Sequence, residues 1–224
     1  ICALIEENLA AGRVDPHWHP RSRPALLEGE AAGRVIDIAD FVGTPLYIFH
    51  VSCQETVAQI AAARGRGLPI YGETCPQYLL LDWDLYDRLG VAGALPVCSP
   101  PIREKAQQEN LWQALAQGDL QVVSTDHCPF TAAEKESHLG DYSRIPGGVP
   151  SIEIRFPAVY QHGVQTGLLT LKQWVTACCT RPAQLFGLQK KGDIAVGYDA
   201  DLVIFDEERP FTTTPSTGIF SPGR

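Results

Sequence analysis

Polar side chains follow three strand-like runs of this sequence, at the point where each run ends. "LYIFH" ends at His50, "PIYGET" ends at Glu73 and Thr74, and "LQVVSTD" ends at Asp126. Catalytic groups of parallel α/β folds lie at the carboxyl ends of strands, so His50 and Asp126 are candidates to converge on one site. Imidazole and carboxylate are ligand types that hold zinc. Zinc lowers the pKa of a bound water, and a nearby carboxylate could pass the proton to a leaving nitrogen.

These residues also have a plain structural interpretation. A single histidine after a strand is more often hydrogen-bonded structure, and a single aspartate is as often a helix cap or turn former. His127 either lines a pocket or makes a structural hydrogen bond. We expect Cys128 to pack, because no motif places a histidine base beside it as a thiol nucleophile would need. The pattern alone leaves these alternatives open.

Helices and strands in alternation must position these side chains. Helical spacing of apolar residues occurs in "ICALIEENLAAG", "LLEGEAAGRVIDIADFVG", "QETVAQIAAARGRG" and "QENLWQALAQG", and β-branched or aromatic runs lie between them. Such alternation favours an α/β fold, a parallel sheet with crossover helices. "GDIAVGYDADLVIFD" differs, since its turn residues separate short β-type runs with no helix between, which is typical of a separate β element.

The composition of the chain limits the kinds of partner and the cellular environment that we expect for it. The chain has 224 residues, is 45% hydrophobic and 20% charged, and carries a formal net charge of -8, which argues against a nucleic-acid partner and suits small molecules. No apolar run approaches the roughly 18 residues of a membrane span. Seven cysteines without a CxxC motif indicate reduced thiols and a cytoplasmic protein. Because methionine is absent and the chain opens inside a helical pattern, we expect a fragment of a longer chain.

Six motifs in this order carry a family resemblance: "HVSC", "GETCPQYL", "VCSPPIR", "VVSTDHCPF", "SRIPGGVPSIE" and "KGDIAVGYDADLVIFD". Together they resemble the downstream half of a hydantoinase or dihydropyrimidinase, cyclic amidohydrolases of the metal-dependent amidohydrolase superfamily. The resemblance implies a partial (β/α)8 TIM barrel, strands 6–8 with their helices, over residues 1–189. It also implies that residues 190–224 begin the return of the chain into a small β-sandwich domain.

The resemblance assigns roles to four residues. It implies that His50 is the metal ligand after the sixth barrel strand, and that Asp126 is both the ligand after the eighth strand and the general base. Ser99 and Gly147 correspond to positions whose main chain contacts the cyclic amide of the substrate. Many relatives have asparagine at the position of Gly147 and glycine at that of Ser151, so we expect the shape of this loop to differ.

The family cofactor is two divalent metal ions, usually zinc, bridged by a carbamylated lysine. None of the lysines at 105, 135, 172, 190 and 191 follows a strand where that lysine belongs, so we expect it in a missing N-terminal part. The "HWH" at 17–19 has the spacing of the family's HxH ligand pair, but it lies in a proline-rich stretch. We therefore interpret His17 and His19 as loop residues outside the metal centre.

The resemblance implies hydrolysis of the cyclic amide C–N bond of hydantoins or dihydropyrimidines to N-carbamoyl amino acids. It implies a small cyclic amide as the partner and a homo-oligomer, commonly a tetramer, while charge and hydropathy predict no nucleic-acid and no membrane partner. Two alternatives stay open: an allantoinase or dihydroorotase-like hydrolase that shares the metal site, and a non-catalytic dihydropyrimidinase-related scaffold. We expect the isolated fragment itself to be inactive.

Overall fold

The computed structural model describes residues 1–209 and shows short parallel strands surrounded by helices. The α-helices are α1 (Cys2–Ala10), α2 (Trp18–Arg21), α3 (Ala25–Val42), α4 (Gln54–Gly65), α5 (Pro76–Leu80), α6 (Val91–Ala94), α7 (Ala106–Gln117), α8 (Ala132–Glu136), α9 (Arg155–Val159), α10 (Leu171–Val175) and α11 (Arg181–Leu185). The strands are β1 (Leu46–Ile48), β2 (Ile70–Thr74) and β3 (Val122–Val123). Two 3-10 turns, Trp83–Asp87 and Tyr142–Arg144, and two π-helical turns, Tyr160–Val164 and Thr176–Thr180, complete the described elements.

The sheet has the order β1-β2-β3, and both pairings are parallel. Leu46 lies opposite Ile70, and Thr74 lies opposite Val123. Helix α4 makes the crossover from β1 to β2, and the segment containing α5, α6 and α7 makes the crossover from β2 to β3. The predicted parallel sheet with crossover helices is therefore confirmed, and the carboxyl ends of the strands meet at one edge.

Glycines end the helices where the sequence indicated. Gly12 follows α1 with φ 73°, and Gly43 caps α3 with φ 67°, left-handed conformations that a residue without a Cβ adopts at little cost. Among residues 1–209, no helix combines the length and apolar character that crossing a bilayer requires.

The C-terminal part of the described chain differs from its sequence pattern. Residues 190–209 contain no helix and no strand, although "DLVIFD" reads as a strand. The described residues supply no neighbouring strand for it, and a strand is stable only when its main chain is paired. Phe205 instead packs its ring on Tyr160 and Trp174, with centroids 4.7 Å and 5.1 Å away. Residues 210–224 of the predicted β element lie outside the described part, so the boundary at 189/190 stays a prediction.

The "HWH" stretch also differs from the predicted loop, because Trp18 and His19 lie in α2. This helix has a single turn, which is too short for an apolar period to reveal. His19 is buried within it.

The middle of the central strand β2 is closely packed against neighbouring side chains. Gly72 lies in this strand, and a Cβ built on it would be 2.8 Å from Cδ1 of Ile60 and 3.0 Å from Cδ2 of Leu120. Ile60 and Leu120 are themselves fully buried, so neither has free space to retreat into. The Ile60 side chain from α4 and the Leu120 side chain just before β3 therefore crowd the middle of β2, and an added methyl group would have to displace them.

This packing predicts the effect of adding one methyl group. In the product of the complete reading frame that encodes this chain (the intact protein), Gly72→Ala should lower the free energy of unfolding by about 1–3 kcal/mol, the usual cost of overpacking a core. The matched control is Gly65→Ala at the end of α4, where nothing lies within 4 Å of the added Cβ. Urea denaturation measures both variants. Equal stabilities would show that β2 is less tightly enclosed than described.

Candidate active site

His50 and Asp126 stand out by their backbone conformation. His50 lies two residues beyond the end of β1, Asp126 lies three residues beyond the end of β3, and their φ angles are 41° and 45°. Among residues 1–209 these are the non-glycine residues with a positive φ. The left-handed region costs a residue with a Cβ roughly 1–2 kcal/mol, and such strain concentrates at functional sites. The backbone thus marks the two residues that the sequence predicted as ligands.

The parallel sheet sets how far apart these two residues stand. β2 lies between β1 and β3, and neighbouring strands are about 4.8 Å apart, so the two chain segments leave the sheet about 10 Å from each other. His50 is half-buried and Asp126 is exposed. Both therefore lie at the carboxyl edge of the sheet, where a ligand from solvent can reach the Asp126 carboxylate.

The polar residues at the end of β2 are used in internal hydrogen bonds. Glu73 is buried and accepts a hydrogen bond of 2.6 Å from the Tyr47 hydroxyl, while Thr74 donates from Oγ1 to the carbonyl of Val51 at 2.8 Å. Burial and the Glu73 carboxylate both raise the pKa of Tyr47, so its hydroxyl stays protonated and remains the donor. Burial likewise raises the pKa of the Cys75 thiol, so this residue is not a thiolate nucleophile.

His127 makes structural hydrogen bonds, one of the two alternatives that the sequence left open. Its Nδ1 accepts from the main-chain N–H groups of Ser151 at 3.1 Å and Ile152 at 3.3 Å. Ser151 in turn donates from Oγ to the carbonyl of Thr125 at 2.6 Å. These bonds join the 147–152 loop to the segment that carries Asp126. Ser151 thus has a local role, although sequence reasoning noted it only as a departure from relatives.

Ser99 and Gly147 are neighbours in space. A Cβ built on Gly147 would lie 3.7 Å from both the main-chain nitrogen and Oγ of Ser99, and both residues are exposed. The next residue, Gly148, donates from its main-chain nitrogen to the carbonyl of Val97 at 2.9 Å. A Cβ on Gly148 would be 2.4 Å from the carbonyl oxygen of Cys128, so glycine is needed for this close approach. The structure therefore brings the two predicted substrate contacts together. Cys128, which we expected to pack, is exposed, although its main chain lies against Gly148.

Buried side chains hold the main chain around Ser99. Nε2 of His19 lies 2.8 Å from the carbonyl oxygen of Cys98, the Tyr78 hydroxyl donates to the carbonyl of Pro100 at 3.0 Å, and the Tyr86 hydroxyl donates to that of Pro96 at 3.2 Å. Burial lowers the pKa of His19 to about 3, and the nearby Arg23 cation acts in the same direction. The ring is neutral at pH 7, and its Nε2–H donates to Cys98. His19 thus holds the main chain next to Ser99 through a buried hydrogen bond.

A buried ion pair holds the segment that follows His50. Glu28 accepts hydrogen bonds from the main-chain nitrogen of Ser52 at 3.0 Å, from the Ser52 hydroxyl, and from the Arg103 guanidinium at 3.0 Å. Nε of Arg103 also donates to the Ser52 hydroxyl at 3.0 Å. Removing one partner of such a pair leaves an uncompensated buried charge, which costs several kcal/mol. This network fixes Ser52, two residues beyond His50. Sequence reasoning missed it, because Glu28 and Ser52 lie 24 residues apart along the chain.

The ligand types present fit part of a metal centre. His50 offers an imidazole and Asp126 a carboxylate at the same edge of the sheet. A catalytic zinc site takes three protein ligands and an open position. No group of three or more His, Cys, Asp and Glu side chains in residues 1–209 is placed to hold a metal. The described chain therefore supplies two suitable ligand types, and a complete centre needs further ligands.

The left-handed backbone at His50 predicts an unusual order of stabilities. In the metal-free intact protein, His50→Gly should be about 1 kcal/mol more stable than His50→Ala, because glycine adopts this φ without strain. The control pair is Gln113→Gly and Gln113→Ala at an exposed position within α7, where glycine should be the less stable by a similar amount. Urea denaturation in a chelator measures all four. A His50→Gly variant less stable than His50→Ala would contradict the strain.

The buried neutral His19 predicts sensitivity to acid. Its pKa rises from about 3 in the folded chain to 6.5 on unfolding, so the unfolded chain binds more protons between these values. Stability should therefore fall as pH decreases below 6.5, by up to about 1.4 kcal/mol per pH unit from this group. His19→Gln should flatten this slope, and the exposed His162→Gln should leave it unchanged. Unfolding midpoints from pH 7 to 4.5 measure it, and parallel slopes for wild type and His19→Gln would contradict the assignment.

Comparison with known proteins agrees with this geometry. The sequence pattern of the Amidohydrolase family matches residues 11–222. The chain is 49% identical over 208 residues to a D-hydantoinase of Streptomyces coelicolor, covering 92% of this chain and 44% of that protein. It is 49% identical over 205 residues to a D-hydantoinase of Geobacillus stearothermophilus, covering 91% and 44%.

Solved structures give the same result. The crystal structure of a dihydropyrimidinase from Brevibacillus agri superposes with a TM-score of 0.87 at 46% identity, covering 88% of this chain and 43% of that one. A D-hydantoinase (dihydropyrimidinase) from a Thermus species superposes with a TM-score of 0.95 at 39% identity, covering 98% and 48%. The chain thus spans a little under half the length of the proteins it matches. By sequence pattern and by structure, the chain belongs to the amidohydrolase family, with D-hydantoinases and dihydropyrimidinases among its relatives.

Proposed function

We propose that the intact protein is a metal-dependent hydrolase that opens a hydantoin or dihydropyrimidine ring. The observation that carries this proposal is that His50 and Asp126, both with a left-handed backbone, follow parallel strands that end at the same edge of the sheet, with the loop that carries Gly147 hydrogen-bonded to the segment of Asp126. Relatives named D-hydantoinase at 49% identity support this substrate class over the allantoinase or dihydroorotase alternative. Retention of a histidine and an aspartate at both expected positions argues against a non-catalytic scaffold.

The proposal places the chain in a (β/α)8 barrel. β1, β2 and β3 would be its strands 6, 7 and 8, with residues 1–189 forming this part of the barrel and residues 190–224 starting a small β-sandwich. The TM-score of 0.95 with the Thermus enzyme supports this placement. β1 is then an inner strand, whose free edge pairs with a strand that the described residues do not provide. This arrangement would protect an edge that otherwise invites aggregation.

We propose that the intact protein binds two divalent metal ions, most suitably zinc, and that His50 and Asp126 are among the ligands. The remaining ligands, including a bridging carbamylated lysine, would come from the part of the relatives' length that this chain does not match. When bound, the ions would polarise the ring carbonyl and make water nucleophilic near neutral pH. Because the described residues bring together only two suitable ligand types, we expect the chain alone to be inactive.

This chain's own residues would orient the ring and move the proton. Main-chain groups of Ser99 and Gly147 bind the cyclic amide and fix which carbonyl faces Asp126. Water adds to that carbonyl carbon, and the Asp126 carboxylate accepts a proton from the water. The carbon–nitrogen bond then breaks, and Asp126 returns the proton to the leaving nitrogen. The product from a hydantoin is an N-carbamoyl amino acid. Asp126 is exposed at this edge of the sheet, so its carboxylate is accessible for these two proton transfers.

The test is ring opening by the intact protein. We expect hydrolysis of dihydrouracil or a 5-substituted hydantoin, with about two zinc ions per chain. Asp126→Asn keeps the shape and tolerates the left-handed φ, and it should lower kcat by at least about 100-fold because it cannot accept the proton. The exposed Asp84→Asn is the matched control and should keep full turnover.

Two outcomes would contradict the proposal. A folded, metal-free intact protein that opens neither ring would favour the scaffold. Full turnover by Asp126→Asn would remove Asp126 as the base while leaving the reaction in place. Assay of residues 1–224 alone, beside the intact protein, checks the expected inactivity of this part.

A further inference from the structure

Lys135 is a buried lysine that the proposed reaction does not use. It lies in α8, its side chain is 2% exposed, and no ion pair of the described residues includes it. Its Nζ donates instead to the main-chain carbonyls of Leu95 at 2.9 Å, Val97 at 2.8 Å and Gly148 at 2.8 Å. An ammonium has three N–H donors, so these bonds use all of them.

The carbonyls belong to two different segments of the site. Leu95 and Val97 lie on the segment that leads into Ser99, and Gly148 directly follows Gly147. The same two segments are joined by the hydrogen bond of 2.9 Å from the nitrogen of Gly148 to the carbonyl of Val97. The ammonium therefore sits at the junction whose exposed side presents Ser99 and Gly147.

The environment of Lys135 explains why a charged group is used there. Burial lowers its pKa to about 8, so most of the side chain remains an ammonium at pH 7. A charge is stable in such a place only when strong acceptors replace the lost water. Charge-assisted hydrogen bonds are about twice as strong as neutral ones, so the three carbonyls are held firmly.

The helix that carries Lys135 is itself fixed. Thr131 and Glu134 form a reciprocal capping box at the start of α8, with the Thr131 nitrogen donating to the Glu134 carboxylate at 2.7 Å. The capping box anchors the single turn from which the Lys135 side chain extends. The position of the ammonium is thus set by local structure that does not involve His50 or Asp126.

We propose that Lys135 is a positioning residue for substrate binding, which sets the spacing between the main-chain groups of Ser99 and Gly147 that hold the cyclic amide. This inference rests on the proposed function, and it adds a residue outside the metal centre and outside direct contact with the ring. Because the ammonium touches neither predicted metal ligand, its loss should weaken ring binding and leave the metal content unchanged.

The experiment compares Lys135→Met with Lys172→Met, an exposed lysine, in the zinc-loaded intact protein. For a 5-substituted hydantoin, Lys135→Met should raise KM at least about tenfold and keep kcat within about threefold, as expected when contacts made equally in ground and transition states are lost. Its zinc content should equal that of wild type, and Lys172→Met should match wild type throughout. A purely structural role would lower the melting temperature and leave KM unchanged, and that result would overturn the inference.

Lys135→Arg keeps the test decisive if the methionine variant does not fold. Arginine retains the charge, but its donors are spread over a planar fork and cannot reach three carbonyls from one atom. Its KM should rise at least threefold with unchanged zinc content, whereas a wild-type KM with a lowered melting temperature would overturn the inference. A wild-type protein that opens neither ring would remove the proposed function and this inference together. Ring opening with unaltered KM in the variants would remove the inference alone.

Discussion

Parallel pairing of β1, β2 and β3 is the constraint on which the site depends. Parallel strands end at the same edge, so residues that follow β1 and β3 must emerge on the same side of the sheet. Main-chain hydrogen bonds from Gln121 to the carbonyl of Gly72 at 3.0 Å and from Ser124 to the carbonyl of Thr74 at 2.9 Å hold β2 and β3 in register. His50 and Asp126 reach one edge from sequence positions 76 residues apart (126 − 50) for this reason alone.

Beyond the sheet, buried polar groups fix the loops that leave it. Glu28 and Arg103 hold the segment after β1, His127 and Ser151 join the 147–152 loop to the segment after β3, and Lys135 joins that loop to the Ser99 segment. Each of these side chains takes part in hydrogen bonds that tie one main-chain segment to another. The site loops are therefore held by hydrogen bonds to their backbone, while apolar packing holds the elements beneath them.

Sequence reasoning predicted the parts of this fold that have a local signal. Apolar periodicity and terminal glycines predicted α1, α3, α4 and α7, and strand ends predicted His50 and Asp126 as candidates. Contacts between distant segments have no such signal: Lys135 lies in an unremarkable polar helix, 38 residues from Val97. The β-type pattern of residues 192–206 forms no strand within the described residues, which supply no pairing partner for it, so the predicted β element stays a prediction. The metal and substrate roles rest on the resemblance and on the proposed reaction.

The way Lys135 holds its neighbours bears on how this site can vary. An ammonium that binds carbonyl oxygens recognises the path of the backbone and is indifferent to the side chains along it. Exposed side chains along residues 95 to 99 and 147 to 150 can therefore change while the main-chain groups stay in place, but Gly148 cannot, because of its close approach to Cys128. Under the proposed function, substrate range would change through these side chains while the main-chain contacts to the cyclic amide stay the same. For exchange of loops between related enzymes, compatibility would follow from backbone shape and from the lysine, with little dependence on sequence similarity within the loops.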